Sequence, residues 1–359
     1  MATSVQATPR AMARARSYGT GIVLTVLTLA LTGCFSLTTP DYVLKHRDQI
    51  ERQLNVKVDI SRANSFTGSV NRALTDIENT LSALPDAYRK KIAGIAVRDG
   101  FFKDYTLIAP LVGGYTANDG TVSVRNANAT RFIQTAVLFP RNDTLIHELA
   151  HSVQYCELRH AQETGTFSPE FGRFIRNWEY QYFGDVNGDG ELDDQDVAWI
   201  AEHREQFDRT KDGKVDFQDV ELAVGKPYVQ GRWASSRGIK VLLRMSFQGL
   251  ARRSKGFASS YAQTYVWEDA AETMRYAWNA GLLPALYSAT ADDTAASMAW
   301  RKYLKLKKED PLFARKLFLV LQYVAAHEQP EGLSTAWLDY GRLHSRMARA
   351  DAAVMNDQR

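Results

Sequence analysis

The sequence predicts a mainly helical α+β protein, and three observations carry that prediction. Short apolar runs at 105–112, 121–125 and 131–138 read as strands of a small sheet. A helix with two histidines four residues apart follows them directly. From residue 291 onward the apolar spacing is helical to the end of the sequence. At 359 residues and 45% hydrophobic content, the chain can bury a full core and hold more than one substructure.

In chain order, the first element is a targeting segment. Arg10, Arg14 and Arg16 precede an apolar stretch at 21–31, short for a membrane span and right for a signal-peptide core. Leu31-Thr32-Gly33-Cys34 follows and resembles the bacterial lipobox. That resemblance implies cleavage before Cys34, a lipid on its thiol, and an exported protein anchored in the membrane of the bacterial cell envelope, on the periplasmic side or the cell surface. The alternative is an uncleaved signal anchor. Losing residues 1–33 removes three of the 44 basic residues and none of the 41 acidic ones, which leaves 41 of each. A neutral chain without a basic stripe gives no reason to expect nucleic acid as a partner. With Cys34 lipidated, Cys156 is left without a partner, so no disulfide is expected and Cys156 reads as a small buried hydrophobe.

Residues 40–58 read as a leading helix, and Leu84-Pro85 opens another that runs through Ile95. After the strand run at 131–140, Asn142, Asp143 or Thr144 offers an N-cap before the apolar Leu145 and Ile146. The helix so started carries His147-Glu148-Leu149-Ala150-His151. Residues four apart share a helix face, so both imidazoles can hold one tetrahedral zinc while Glu148 points at its open position. Zinc lowers the pKa of bound water to about 7, and Glu148 can take the proton as that water attacks a carbonyl. The implied chemistry is amide hydrolysis.

A catalytic zinc takes a third ligand from His, Glu or Asp. Glu157 stands where HExxHxxGxxH has its last histidine, but Gln154 replaces the glycine that would turn the chain, so Glu157 reads as a polar helix residue. The better candidate lies in 265–274, where Glu268 and Glu272 sit one turn apart among aromatic and alanine residues, with Thr264 as a possible cap. Carboxylates embedded in an apolar run need partners.

HELAH followed by Glu268-x-x-Ala-Glu272, with Tyr261 seven residues before Glu268, resembles the gluzincin metallopeptidases, most closely the catalytic domain of the anthrax lethal factor type. The resemblance covers about 84–279 and implies a zincin-like catalytic domain. It implies His147, His151 and Glu268 as zinc ligands, Glu148 as general base, Tyr261 as donor to the tetrahedral intermediate and Glu272 as partner of a ligating histidine. The chain departs from the family in the long distance between His151 and Glu268.

That distance holds two acidic loops. In the first, Asp185, Asn187, Asp189, Asp193 and Asp196 occupy positions one, three, five, nine and twelve of an EF-hand calcium loop, with Gly190 at six. In the second, Asp208, Thr210, Asp212, Asp216 and Asp219 repeat the spacing around Gly213. Glu191 and Lys214 hold position seven, which offers a main-chain oxygen. Aspartate at position twelve makes the pair resemble dockerin-type repeats more than sensor EF-hands. A helix at 169–183, the first loop, a helix at 197–206, the second loop and a helix at 220–225 would form a calcium-stiffened insert.

The remaining sequence reads as helices at 291–306, at 311–326 with Asp310 as cap, and at 334–353. Leu312, Leu317, Phe318, Leu321 and Val324 form the apolar face of the second. The expected organisation is a lipoprotein signal peptide at 1–33, a catalytic domain in two parts at 34–168 and 227–290, an EF-hand pair at 169–226 and a helical tail at 291–359. Two functions fit it. One is an exported, lipid-anchored zinc peptidase acting on a peptide or protein substrate, which an edge strand such as 131–138 would bind by strand addition. The other is an inactive, calcium-dependent binding lipoprotein on the same scaffold.

Overall fold

A computed structural model describes residues 39–63, 67–98, 114–125, 142–228, 255–259, 261–283 and 293–328. These residues form a mainly helical chain with one four-stranded mixed sheet, in line with the α+β prediction. Residues 1–33, Cys34, the strands expected at 105–112 and 131–138 and the helix expected at 334–353 lie outside the described residues.

Helix α1 (Asp41–Leu54) closes at Asn55, whose left-handed backbone (φ 54°) turns its N–H onto the Glu51 carbonyl. Asparagine tolerates that conformation, so the leading helix stops short of residue 58. Strand β1 (Val58–Arg62), helix α2 (Thr67–Ser82), the short α3 (Asp86–Arg89) and strands β2 (Gly94–Arg98), β3 (Gly114–Thr116) and β4 (Thr121–Arg125) follow. The sheet order is β1-β2-β4-β3. β2 runs parallel to both its neighbours, and β3 pairs antiparallel with β4 at the edge.

The strand at 121–125 stands where expected, whereas the helix expected from 84 to 95 is four helical residues and then a strand. Ile95, Ala96 and Val97 are all buried at the centre of the sheet. A central parallel strand is a continuous apolar run, which spacing alone does not tell from a helix. β1 and α2 lie outside the sequence expectations altogether.

Helix α4 (Asn142–Thr164) carries the two histidines. Helix α5 (Pro169–Tyr180) starts with the Ser168 side chain accepting the Phe171 N–H and with Pro169 in its first turn. A 3₁₀ turn (Gln181–Phe183) leads into the first acidic loop. Between the loops lie α6 (Asp194–Glu202) and α7 (Arg204–Phe207), two helices broken at His203 where one was expected, and α8 (Phe217–Val224) follows the second loop. After a 3₁₀ turn at Ala262–Thr264 come α9 (Val266–Asn279), α10 (Asp293–Glu309) and α11 (Pro311–Ala325). Asp310 caps α11 as expected, its carboxylate accepting the Phe313 N–H. The burial of α11 is wider than a single face, since every residue from Phe313 to Leu321 is buried.

One large core joins the sheet to α4, α5, α9, α10 and α11 through side chains such as Ile95, Leu149, Phe171, Trp178, Met274 and Leu317. Fully burying such a side chain contributes about 1.5–3 kcal/mol. The loop region has a small core of its own, built on Tyr180, Ile200 and Val215. A third cluster of Tyr228, Phe257 and Ala262 ties the end of that region to the segment before α9. No helix among the described residues is long and apolar enough to cross a membrane.

Candidate metal centre

Helix α4 turns Ile146, Leu149 and Val153 into the core, and this fixes the rotation of the helix. Its neighbouring face then points His147 and His151 at α9. Ser152, fully buried beside His151, donates to the Gly120 carbonyl at 2.5 Å and accepts the Ala93 N–H at 3.2 Å. One hydroxyl thus fastens helix α4 to the β3–β4 turn and to the entry of β2. The edge strand β3 brings Thr116 onto Glu148, its hydroxyl 2.8 Å from the carboxylate and 2.9 Å from the Glu148 carbonyl. Gly114 lets the strand approach this closely, since a Cβ there would lie 2.9 Å from the Ser123 carbonyl and 3.1 Å from Cγ of Glu148.

Helix α9 begins after Tyr265 with no side-chain cap. Thr264, the expected cap, instead donates its hydroxyl to the Tyr261 carbonyl at 2.7 Å, because it lies within the preceding 3₁₀ turn. Glu268 falls in the first turn of α9 and Glu272 one turn later. Nε2 of His147 and Nε2 of His151 are 3.1 Å apart, and each is 3.2 Å from Oε2 of Glu268. A tetrahedral ion with bonds of about 2.0–2.1 Å separates its ligand atoms by about 3.3–3.4 Å. The triangle is therefore one slightly contracted face of such a tetrahedron. Among the described residues it is the one set of three His, Cys, Asp or Glu side chains whose ligand atoms all lie within 4.8 Å of one another.

The surrounding groups hold this triangle in place. Nδ1 of His147 lies 2.9 Å from Oε1 of Glu272, an ion-pair approach that falls off the hydrogen-bond line. The other oxygen of Glu272 accepts from Ser259 at 2.5 Å and meets Arg275 at 2.7 Å. Nδ1 of His151 is 2.7 Å from Oε1 of Gln154. The Tyr261 ring sits 5.9 Å from the His147 ring, and its phenol lies close enough to Glu268 to feel the charge of that carboxylate.

Burial is the largest single influence on His147, Glu268 and Tyr261, and the charges around them decide the outcome. For His147 burial works against the cation, yet Glu268 and Glu272 outweigh it and push its pKa up to about 10. Burial raises Glu268, but the two imidazoles hold it well below the usual carboxylate range. For Tyr261, burial and the Glu268 carboxylate act together and raise the phenol far above its ordinary value. Two imidazoles facing a cluster of carboxylates make a pocket that favours a cation, and a divalent ion entering it would displace a proton.

Glu157 stands apart from the ligand set, as expected, but it is no surface residue. At 2% exposure it pairs with Lys91 and accepts the Ser168 N–H at 3.3 Å, anchoring the start of α5. Cys156 is a free thiol that is only partly buried, short of the full burial expected for it.

The two acidic loops share one backbone design. Asp185 accepts the N–H of Gly190, and Asp208 that of Gly213, each at 2.8 Å. Asp196 accepts from Val186 and Asp193, and Asp219 from Arg209 and Asp216, at 2.6–2.9 Å. Asp193 and Asp216 also cap α6 and α8, each in a reciprocal capping box. Position six has a left-handed glycine in both loops. Position four is left-handed too, as Gly188 (φ 77°) in the first loop and as Lys211 (φ 60°) in the second. The carboxylates of neither loop form a ligand set of the kind that His147, His151 and Glu268 do. They are turned instead onto main-chain N–H groups of their own loop.

Four supporting residues escape the sequence reading. Gln154 and Arg275 lie three residues after His151 and Glu272, so helical spacing marks them as neighbours. Thr116 and Ser259 reach the site from other elements, and nothing local in the sequence flags them. Comparison with family models, with curated proteins and with solved structures gives no match for the chain.

Proposed function

We propose that the protein is an exported, lipid-anchored zinc metallopeptidase with a calcium-binding insert. One observation carries the reading: three candidate ligand atoms from two helices, with Glu268 117 residues after His151, meet in a triangle with edges of 3.1–3.2 Å. Two imidazoles and one carboxylate suit zinc and leave a coordination position open. When bound, the ion would polarise a substrate carbonyl and acidify water. Glu148, restrained by Thr116, is the base that takes a proton from the attacking water and returns it to the leaving amine. Tyr261 donates to the oxygen on which charge develops, and Glu272 orients His147. The substrate is a peptide or protein. β3 is the edge of the described sheet and touches Glu148 through Thr116, so an extended peptide adding to that edge would run past the base.

The twelve-residue spacing and shared backbone of the two loops support calcium as the second cofactor. Calcium would draw the acids of each loop, now turned to main-chain N–H groups, around a common ion. Purified wild type, His147→Ala, Glu268→Ala and Glu148→Gln test the reading by metal analysis and cleavage of a peptide library. The expected result is one zinc per chain, lost in both ligand variants and retained in Glu148→Gln. Cleavage should fall at least about 100-fold in Glu148→Gln, the scale of a lost general base. Stoichiometric calcium without zinc would instead favour the inactive binding lipoprotein.

A further inference from the structure

Gln154 does more than fill the place of a glycine. Its side-chain oxygen faces Nδ1 of His151 at 2.7 Å, and its nitrogen faces the main-chain carbonyl of Trp267 at 3.2 Å. The residue is 6% exposed, so neither end of the amide is left to water. The Trp267 carbonyl can only accept, and this requires the amide nitrogen to point at it. The amide oxygen must then point at His151, where it can only accept, so Nδ1 must carry the proton. In the neutral ring, the form that binds a metal, that leaves the lone pair of His151 on Nε2, the atom that faces Nε2 of His147 and Oε2 of Glu268. Trp267 is also the residue immediately before Glu268.

We infer that Gln154 is a positioning residue that locks His151 into its ligating tautomer and ties that choice to the backbone beside Glu268. The inference rests on the metal reading proposed above. It also accounts for the asymmetry of the two imidazoles: His147 leans on a carboxylate, whereas His151 leans on a neutral amide. Glu148, Glu268 and Glu272 already bring three anions to the site, and an amide orients the second ring without adding a fourth.

The test is zinc affinity, measured on the full-length protein in detergent by competition with a chromophoric chelator. Gln154→Met keeps the length of the side chain and loses both hydrogen bonds. Gln154→Glu keeps an acceptor for Nδ1 and loses the donor to Trp267. Gln154→Met should weaken zinc binding about 10–100-fold, while Gln154→Glu should stay within about threefold of wild type or bind more tightly. The apo-protein unfolding midpoint is recorded for each variant, so that a merely structural role would show there and not in the affinity. Unchanged affinity in Gln154→Met overturns the inference, and so does an equal loss in both variants. Should Gln154→Met fail to fold, long-range ¹H–¹⁵N spectra of the zinc-loaded wild type decide: a protonated Nδ1 on His151 supports the inference, and metal on Nδ1 overturns it. A wild type that takes up no zinc would instead bring down the metal reading itself.

Discussion

His327, beyond the last turn of α11, is held as a neutral base. Its ring packs edge-on against Tyr88 and Tyr323, Nδ1 faces the Tyr323 carbonyl at 2.7 Å, and Nε2 is buried without a hydrogen-bond partner. Burial, reinforced by the charge of Lys91, brings its pKa down to about 4 despite the opposing carboxylates of Glu157 and Glu170. The unfolded chain therefore binds more protons than the folded one between about pH 4 and pH 6.5, and stability falls as the pH drops through that window. The loss is roughly 2–4 kcal/mol by pH 4. His327→Phe keeps the aromatic packing and cannot titrate. In urea unfolding at a series of pH values it should lose stability less steeply than wild type below pH 6.5, and parallel pH curves for the two proteins would refute the assignment. Nothing in the sequence marks His327 for this role, because burial comes from residues far along the chain. His147 and His151 are legible for the opposite reason: a four-residue spacing on one helix is a local fact. Glu268 is legible as a carboxylate set in an apolar run and through its resemblance to a family motif, and Thr116 is not legible at all.

At the scale of elements, helix α9 presents Glu268 toward the imidazoles and, one residue later, buries Asp269 completely. There Asp269 meets Lys316 of α11 at 2.6 Å, both residues fully buried, and Tyr228 and Tyr182 donate to the same carboxylate oxygen at 2.9 and 3.3 Å. Lys316 also donates to the Gly256 carbonyl at 2.6 Å and lies 3.8 Å from the centre of the Phe257 ring. Burial pushes Asp269 up to about 6 and draws Lys316 down, and each charge is supported by the other. Removing one partner leaves a buried charge with no counterion. Lys316→Met should cost about 3–5 kcal/mol in urea unfolding, and adding Asp269→Asn should restore a large part of it, since a neutral amide still accepts from the two tyrosines. A double variant no more stable than the single one would refute this account of the pair. The pair is hidden from the sequence because Asp269 and Lys316 look like surface residues until α9 and α11 are packed together. The cap of α11 is legible because Asp310-Pro311 is local chemistry, whereas β1 and β2 are not, because parallel pairing joins strands distant in sequence and leaves no period in a buried run.

For the whole molecule, the arrangement turns on how the acidic loops are joined to the rest. Asp194, at position ten of the first loop, is held by Arg315 and lies 3.3 Å from Gln322 of α11, and Glu191 of the same loop meets Lys307 of α10 at 2.7 Å. The exposed Glu191–Lys307 pair contributes little by itself. The stronger ties are apolar and buried. Helix α5, which leads into the loops, contributes Phe171 and Trp178 to the main core. Tyr182 before them and Tyr228 after them both close on Asp269. A region fastened at both ends to the helix that carries Glu268 should unfold with the core and not ahead of it. Calcium binding to the native loops would then stabilise the whole protein, by about 2.7 kcal/mol for one site at a hundred times its dissociation constant. Calorimetry at fixed zinc should show one transition that moves up by several degrees as calcium is added, with zinc released at the same temperature as helix is lost. A separate low-temperature transition, shifted by calcium while zinc release stays where it was, would show the loops to be an independent module and would break the link between the insert and helix α9.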